Sequence, residues 1–251
     1  MDGSGRVLIA GESWVTHSIH QKGFDAFTTT SYHEGVGPLR AALEDGGYAV
    51  DYLPNHLAAS RFPSTPQELE PYAAVILSDI GSNTLLLHPD TFDRSVPMPD
   101  RPRAIRDYVA EGGGLVMVGG YLTFQGIDGR ARWAGTAVEE ALPVTMLSTD
   151  DRVEVPSGVE PVVRLPDHPV VAGLPGRWPA LLGYNRVTAR DQTEVVVTVG
   201  TDPLIVAGHH GRGRGVAFTS DCGPHWCPPP FVAWEGYATM WRQLVAWVAG
   251  D

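Results

Sequence analysis

Apolar residues run along this chain in two rhythms. Short, mainly apolar runs occupy residues 6–10, 48–53, 72–78 and 115–118 and read as strands. Between them lie segments with helical spacing. In 38–46, Leu39, Ala42 and Leu43 share a face and Gly46-Gly47 stop the helix. Residues 66–69 read as a helical turn, and 101–111 carry Ile105, Tyr108 and Val109 on one side before Gly112-Gly113-Gly114. Continuous apolar strands alternating with amphipathic helices predict a parallel sheet covered on both faces, with right-handed crossovers. The second half is richer in strands, with β-prone stretches at 152–165 and 193–207, a turn over Gly208–Gly215 and a strand over 215–219. A last helix at 234–249 places Tyr237, Met240, Trp241, Leu244, Val245 and Val248 on one stripe, which predicts a core-facing helix. Residues 12–37 are polar and His-rich and read as a long structured loop. With no repeat, low-complexity tract or clean linker, the pattern predicts one domain over 1–251.

Composition narrows the partners. The formal net charge is −11, and Lys22 is the sole lysine. Nucleic acid and anionic membrane both call for clustered Lys and Arg, so neither is an expected partner. No apolar stretch approaches a membrane span. The opening residues hold no basic segment followed by a long apolar run, so no secretory leader is expected and the cytoplasm is the expected location. Two cysteines, Cys222 and Cys227, make no disulfide framework.

The segment Tyr108–Tyr121, a helix ending in glycines, a buried strand and the turn Gly119-Gly120-Tyr121, resembles the strand-to-helix elbow of class I glutamine amidotransferase-like proteins, a group that includes the ThuA-like proteins. Gly11-Glu12-Ser13-Trp14, Lys22-Gly23-Phe24-Asp25, Gly119 through Phe124 and Trp241 through Trp247 extend the resemblance over nearly the whole chain. It implies a three-layer α/β/α, flavodoxin-like fold with a mostly parallel sheet and extra strands in the C-terminal half. It also implies a homo-oligomer. A glutaminase of this fold carries a cysteine on the elbow, served by a histidine from a later strand and by backbone N–H groups at the next helix. Here Gly119 stands in the nucleophile's place, and no cysteine occurs in residues 1–221. Thiol-based glutamine hydrolysis is therefore expected to be absent. Thr123, about one turn into the expected helix, lacks an evident base, and free N–H groups at the start of that helix would favour an anion.

Two constellations follow strand ends, where open α/β sheets bind ligands. The first runs from Glu12 through Trp14, His17 and His20 to His33. On a helical turn His17 and His20 would face one way and, with Glu12 or His33, could hold a metal. The second is Asp221-Cys222-Gly223-Pro224-His225-Trp226-Cys227, where the resemblance places the catalytic histidine and acid. The expected pocket joins Glu12, Asp221 and His225 as candidate catalytic groups to Trp14, His17, His20, Gly119, Gly120, Tyr121 and Trp226 as ligand contacts, with Asp79 and its neighbours at the rim. Such a mixture suits a small polar ligand and acid–base chemistry. Three readings stand open: a binding or processing protein for a small molecule without a cofactor; a hydrolase using zinc or another divalent metal on His17, His20, His33, Cys222 and Cys227, with Asp221 and His225; and a non-catalytic assembly protein.

Overall fold

The computed structural model describes residues 5–250; residues 1–4, on which the reading of the opening segment rests, and Asp251 lie outside them. Its centre is an eight-stranded sheet. In chain order the strands are β1 (Arg6–Gly11), β2 (Ser13–Lys22), β3 (Asp25–Glu34), β4 (Ala49–Leu53), β5 (Tyr72–Ser78), β6 (Gly114–Val118), β7 (Val144–Met146), β8 (Arg152–Val159), β9 (Pro161–Val163), β10 (Leu181–Asn185), β11 (Val187–Ala189), β12 (Glu194–Val199), β13 (Asp202–His210) and β14 (Gly213–Phe218). The central sheet has the order β4-β1-β5-β6-β14-β13-β12-β9. Its first five strands are mutually parallel, and β13, β12 and β9 extend it antiparallel.

Alternation along the buried strands sends side chains to two cores. Val7 and Ile9 of β1, Val116 and Val118 of β6, and Phe218 of β14 meet α1 (Gly37–Glu44) and the long C-terminal helix Tyr237–Ala249 through Leu39, Leu43, Met240, Trp241 and Leu244. Leu8, Val75, Leu77, Leu115 and Met117 face the opposite layer, which includes helix Arg101–Ala110 with Ile105, Tyr108 and Val109. Helices thus cover both faces, giving the three-layer α/β arrangement expected. The expected turn at Gly208–Gly215 is shorter: β13 runs on to His210 and β14 begins at Gly213, leaving Gly211-Arg212 to reverse the chain, with Gly211 at φ +59°.

Two sequence expectations need correction. Residues 13–34 are no loop but an antiparallel hairpin, β2–β3, registered from Ser13 opposite Glu34 to Lys22 opposite Asp25. Its Thr, Val, Ile and aromatic positions favour strand, and Gly23-Phe24 turn it. No helix opens at Tyr121. Residues 121–126 form irregular turns, with Phe124 at φ +52° and Gly126 at φ +71°, followed by a short 3₁₀ turn at Ile127–Gly129. Carboxylates supply what a helix would have supplied: Asp151 accepts the N–H groups of Gln125 and Gly126 at 2.7 and 2.9 Å.

Candidate functional site

Four parallel strands deliver their carboxyl ends to one place, beside the point where the strand order reverses around β1. β1 ends at Gly11, whose φ of +112° suits glycine, and a Cβ there would lie 1.8 Å from the Ser78 carbonyl oxygen. The chain then folds Glu12 (φ +48°) inward, with its N–H donating to Ser78 O at 2.7 Å. The Glu12 side chain is buried, and Ser78 Oγ donates to its Oε2 at 2.5 Å. β5 ends at Ser78 and presents Asp79, which also has a positive φ, +44°. Asp79 Oδ1 accepts the Leu122 N–H at 2.8 Å. β14 leads into Asp221 and Cys222, both buried, and Cys222 Sγ lies 3.6 Å from Ser78 Oγ.

Three carboxyl groups thus gather where water cannot fully solvate them. Burial is the leading cause of each shift. It raises Glu12 to about 7, Asp79 adds to this by repulsion, and hydrogen bonds from Ser78 and Cys222 oppose it. Asp221 is pushed well above the ordinary carboxyl range by burial and then by Glu12 and Asp79. Asp79 is raised too, against the Leu122 N–H and the nearby His225. Adjacent buried carboxylates cannot all ionise, so the cluster favours its protonated forms. The Cys222 thiol is pushed up by burial and then by Glu12 and Asp221.

The acids open into a cavity of about 690 Å³, shared with Trp14, Tyr121, Leu122, Ile127, Pro224 and His225. Tyr121 meets the His225 ring edge-on, with centroids 4.1 Å apart, and His225 stacks on buried Trp226 at 5.6 Å. Both aromatic partners are fixed from below by one carboxylate: Tyr121 Oη and Trp226 Nε1 each donate to Glu154 at 3.0 Å. His225 Nδ1 stands 3.9 Å from Asp221 Oδ2, too far for a hydrogen bond.

Of the residues singled out in the sequence, Glu12, Trp14, Tyr121, Asp221 and His225 line this cavity together, and Trp226 backs His225. His17 and His20 do not reach it. They lie on β2, where residues three apart face opposite sides, so the expected helical turn and its shared face are absent. His17 Nδ1 pairs with Thr30 Oγ1 at 3.0 Å and His20 Nε2 with Thr29 Oγ1 at 3.1 Å; His33 stacks on Trp14 at 5.7 Å. Cys227 is buried and its thiol is also pushed up by burial. Among the described residues, Glu12, Asp221 and Cys222 form a group whose potential metal-ligand atoms all lie within 4.8 Å of one another. It includes none of His17, His20, His33 or Cys227.

The glycine turn has a different role from the one sequence suggests. A Cβ on Gly119 would lie 2.3 Å from Thr219 O and 2.8 Å from Asn185 Oδ1, so Gly119 is wedged against β14's exit. Gly120 faces the acids: a Cβ on it would meet Asp79 Oδ1 at 3.1 Å. Asn185 grips the turn, accepting the Gly120 N–H at 3.0 Å and donating to Gly120 O and to Asp151 Oδ1. With Leu122 bound to Asp79 and Gln125 and Gly126 bound to Asp151, these N–H groups are already engaged by carboxylates. Asn185, Asp151 and Glu154 escape the sequence reading because they act from distant, unremarkable segments: the end of β10, the residue before β8, and β8 itself. Ser78, by contrast, ends an unbroken apolar run, which is a signal of place.

Residues 6–250 match the family described as "Putative glutamine amidotransferase". The chain is similar to the solved structure of cytoplasmic protein STM3548 from Salmonella typhimurium, with 44% identity over 96% of this chain and 98% of that one and a TM-score of 0.94. It is equally similar to cytoplasmic protein STM1381 from Salmonella typhimurium LT2, with 45% identity over 97% and 99% of the two chains and a TM-score of 0.94. A cold-adapted β-galactosidase from Rahnella sp. R3 shares the fold in part, at 14% identity over 84% of this chain and 26% of that one, with a TM-score of 0.52. No curated protein matches the chain.

Proposed function

This chain belongs to the glutamine amidotransferase-like family, and from that premise we propose that it is a member without glutaminase chemistry, whose cavity takes a small polar molecule and exchanges a proton with it through Glu12. The observation that carries this reading is the meeting of Glu12, Asp79 and Asp221, from three separate strand ends, at one cavity. A carboxyl group poised at about 7 both donates and accepts a proton at working pH. Protonated acids beside Tyr121 and His225 suit hydroxyl or amine groups, and the Trp14 and Tyr121 rings suit the apolar face of such a ligand.

Glutamine hydrolysis is outside this repertoire. The turn carries Gly119 and Gly120, and both thiols of the chain are buried with raised pKa, which keeps them protonated and poorly nucleophilic. The acidic balance, −11, leaves small molecules as the expected partners. We place the protein in the cytoplasm, as the names of its Salmonella relatives do for them; no helix among the described residues is long and apolar enough to cross a membrane.

Calorimetric titration against a panel of small polyhydroxylated and amine-bearing compounds tests the site. A compound that binds the wild type should lose about tenfold or more in affinity with Glu12→Gln, the worth of one lost charge-assisted hydrogen bond, and again with His225→Ala. Prior treatment with a chelator should leave the affinity unchanged, because thiol ligation at this acid cluster would need a deprotonated Cys222. Equal affinity in wild type, Glu12→Gln and His225→Ala would refute the site.

A further inference from the structure

Among the described residues the β2–β3 hairpin pairs with no other strand; only its base is held, by Asn55 donating to Ser13 and by Tyr32 meeting the His56 ring edge-on. Its strands, Ser13–Lys22 and Asp25–Glu34, form a separate two-stranded sheet, exposed along most of its length. Val15 opposes Tyr32 on one face, and Trp14 opposes His33 and His20 opposes Phe27 on the other. All four of the apolar and aromatic residues among these (Val15, Tyr32, Trp14 and Phe27) are exposed, and Ile19 keeps 76% of its surface in water. A lone hairpin is marginal in water, and an uncovered pair of strand edges is a template for another strand.

Charge selects the occupant. The hairpin carries a formal −1, from Lys22 against Asp25 and Glu34, while the remaining chain carries −10 of the total −11. Two copies of so acidic a chain meet at least cost through this nearly neutral arm. Antiparallel pairing of a strand with its own copy is self-complementary about a two-fold axis. Between β3 edges it would set Asp25 against the other copy's Glu34. Between β2 edges it sets Lys22, the sole lysine, beside the other copy's Ser13, whose cross-strand neighbour is Glu34.

We propose that the free edge of β2 pairs antiparallel with the same edge of a second copy, forming a four-stranded sheet that brings each Lys22 to the root of the other's arm, next to Trp14 at the cavity mouth. Light scattering after gel filtration and sedimentation equilibrium of the full chain test it. The wild type is expected to be dimeric at micromolar concentration. Replacing residues 15–32 with an Asn-Gly turn should leave a folded monomer, since the arm stands apart from both cores. Lys22→Glu, at the exposed tip, leaves the fold intact and should weaken the dimer by about tenfold, because it trades an attraction for a repulsion. A monomeric wild type, including one that captures some other protein, overturns the proposal, as does a dimer that survives loss of the arm. A dimer unaffected by Lys22→Glu overturns the β2 pairing, and this variant decides the matter even if the shortened chain does not fold.

Discussion

At Glu12, burial outweighs hydrogen bonding. The Ser78 hydroxyl and the Cys222 thiol favour the carboxylate, yet desolvation and Asp79 bring the group to about 7. The folded chain therefore keeps a proton that the unfolded chain releases above about 4.5, so folding stability falls as pH rises from there through about 7 and levels beyond. A shift of this size corresponds to roughly 3 kcal/mol over the window, shared with the coupled acids. Melting temperatures between pH 5 and 8.5 should decline for the wild type and decline less for Glu12→Gln, whose neutral amide has no proton to lose. Parallel curves would show that Glu12 ionises normally. The two thiols follow the same rule. Cys222 and Cys227, both buried with raised pKa, should resist a disulfide reagent in the native state and react fully in denaturant. A thiol titrating within seconds in native protein would contradict this.

Among the elements, turns rather than helices shape the site. Gly11, the last residue of β1, and Glu12, the one residue between β1 and the hairpin, both take positive φ. Gly11→Ala would place a methyl group 1.8 Å from the Ser78 carbonyl oxygen and impose an unfavourable φ on alanine. Its expected cost is about 2–4 kcal/mol, read by urea unfolding, together with loss of ligand affinity as Glu12 swings out. Gly112→Ala makes the control: φ is equally left-handed at +123°, yet no atom lies within 4 Å of the added carbon, so only the backbone penalty applies. Equal losses in the two variants would mean that crowding at Ser78 is unimportant. The turn after β6 shows a second economy. Its N–H groups are met by Asp79, Asn185 and Asp151 side chains, so irregular chain needs no helix there.

For the molecule as a whole, the sheet was legible and the hairpin was not. Buried parallel strands announce themselves as apolar runs, so β1, β5 and β6 fall within a residue or so of the positions read from sequence, and the half-exposed edge strand β4 does so too despite Asp51. The helix at Tyr237–Ala249 is legible for a similar reason, because its stripe of Met240, Trp241 and Leu244 has nowhere to go but inward. Residues 13–34 hid their nature because a hairpin open on both faces shows no alternation of apolar and polar positions. The meeting of Glu12, Asp221 and His225 was legible from topology, since strand ends of one parallel sheet share an edge. The Asn185 and Glu154 supports were not, for they arrive from 65 and 72 residues along the chain.

The crowding at Gly119 closes this position to any larger side chain. A cysteine placed there would drive its side chain into the carbonyl of Thr219, and the neighbouring amides that would cradle a negatively charged intermediate are already engaged, Gly120 by the Asn185 amide and Leu122 and Gln125 by acids. Installing thiol chemistry on this turn would demand several simultaneous changes. A designer starting from this chain has an easier path through new ligands for the acid cluster than through a thiol on this turn.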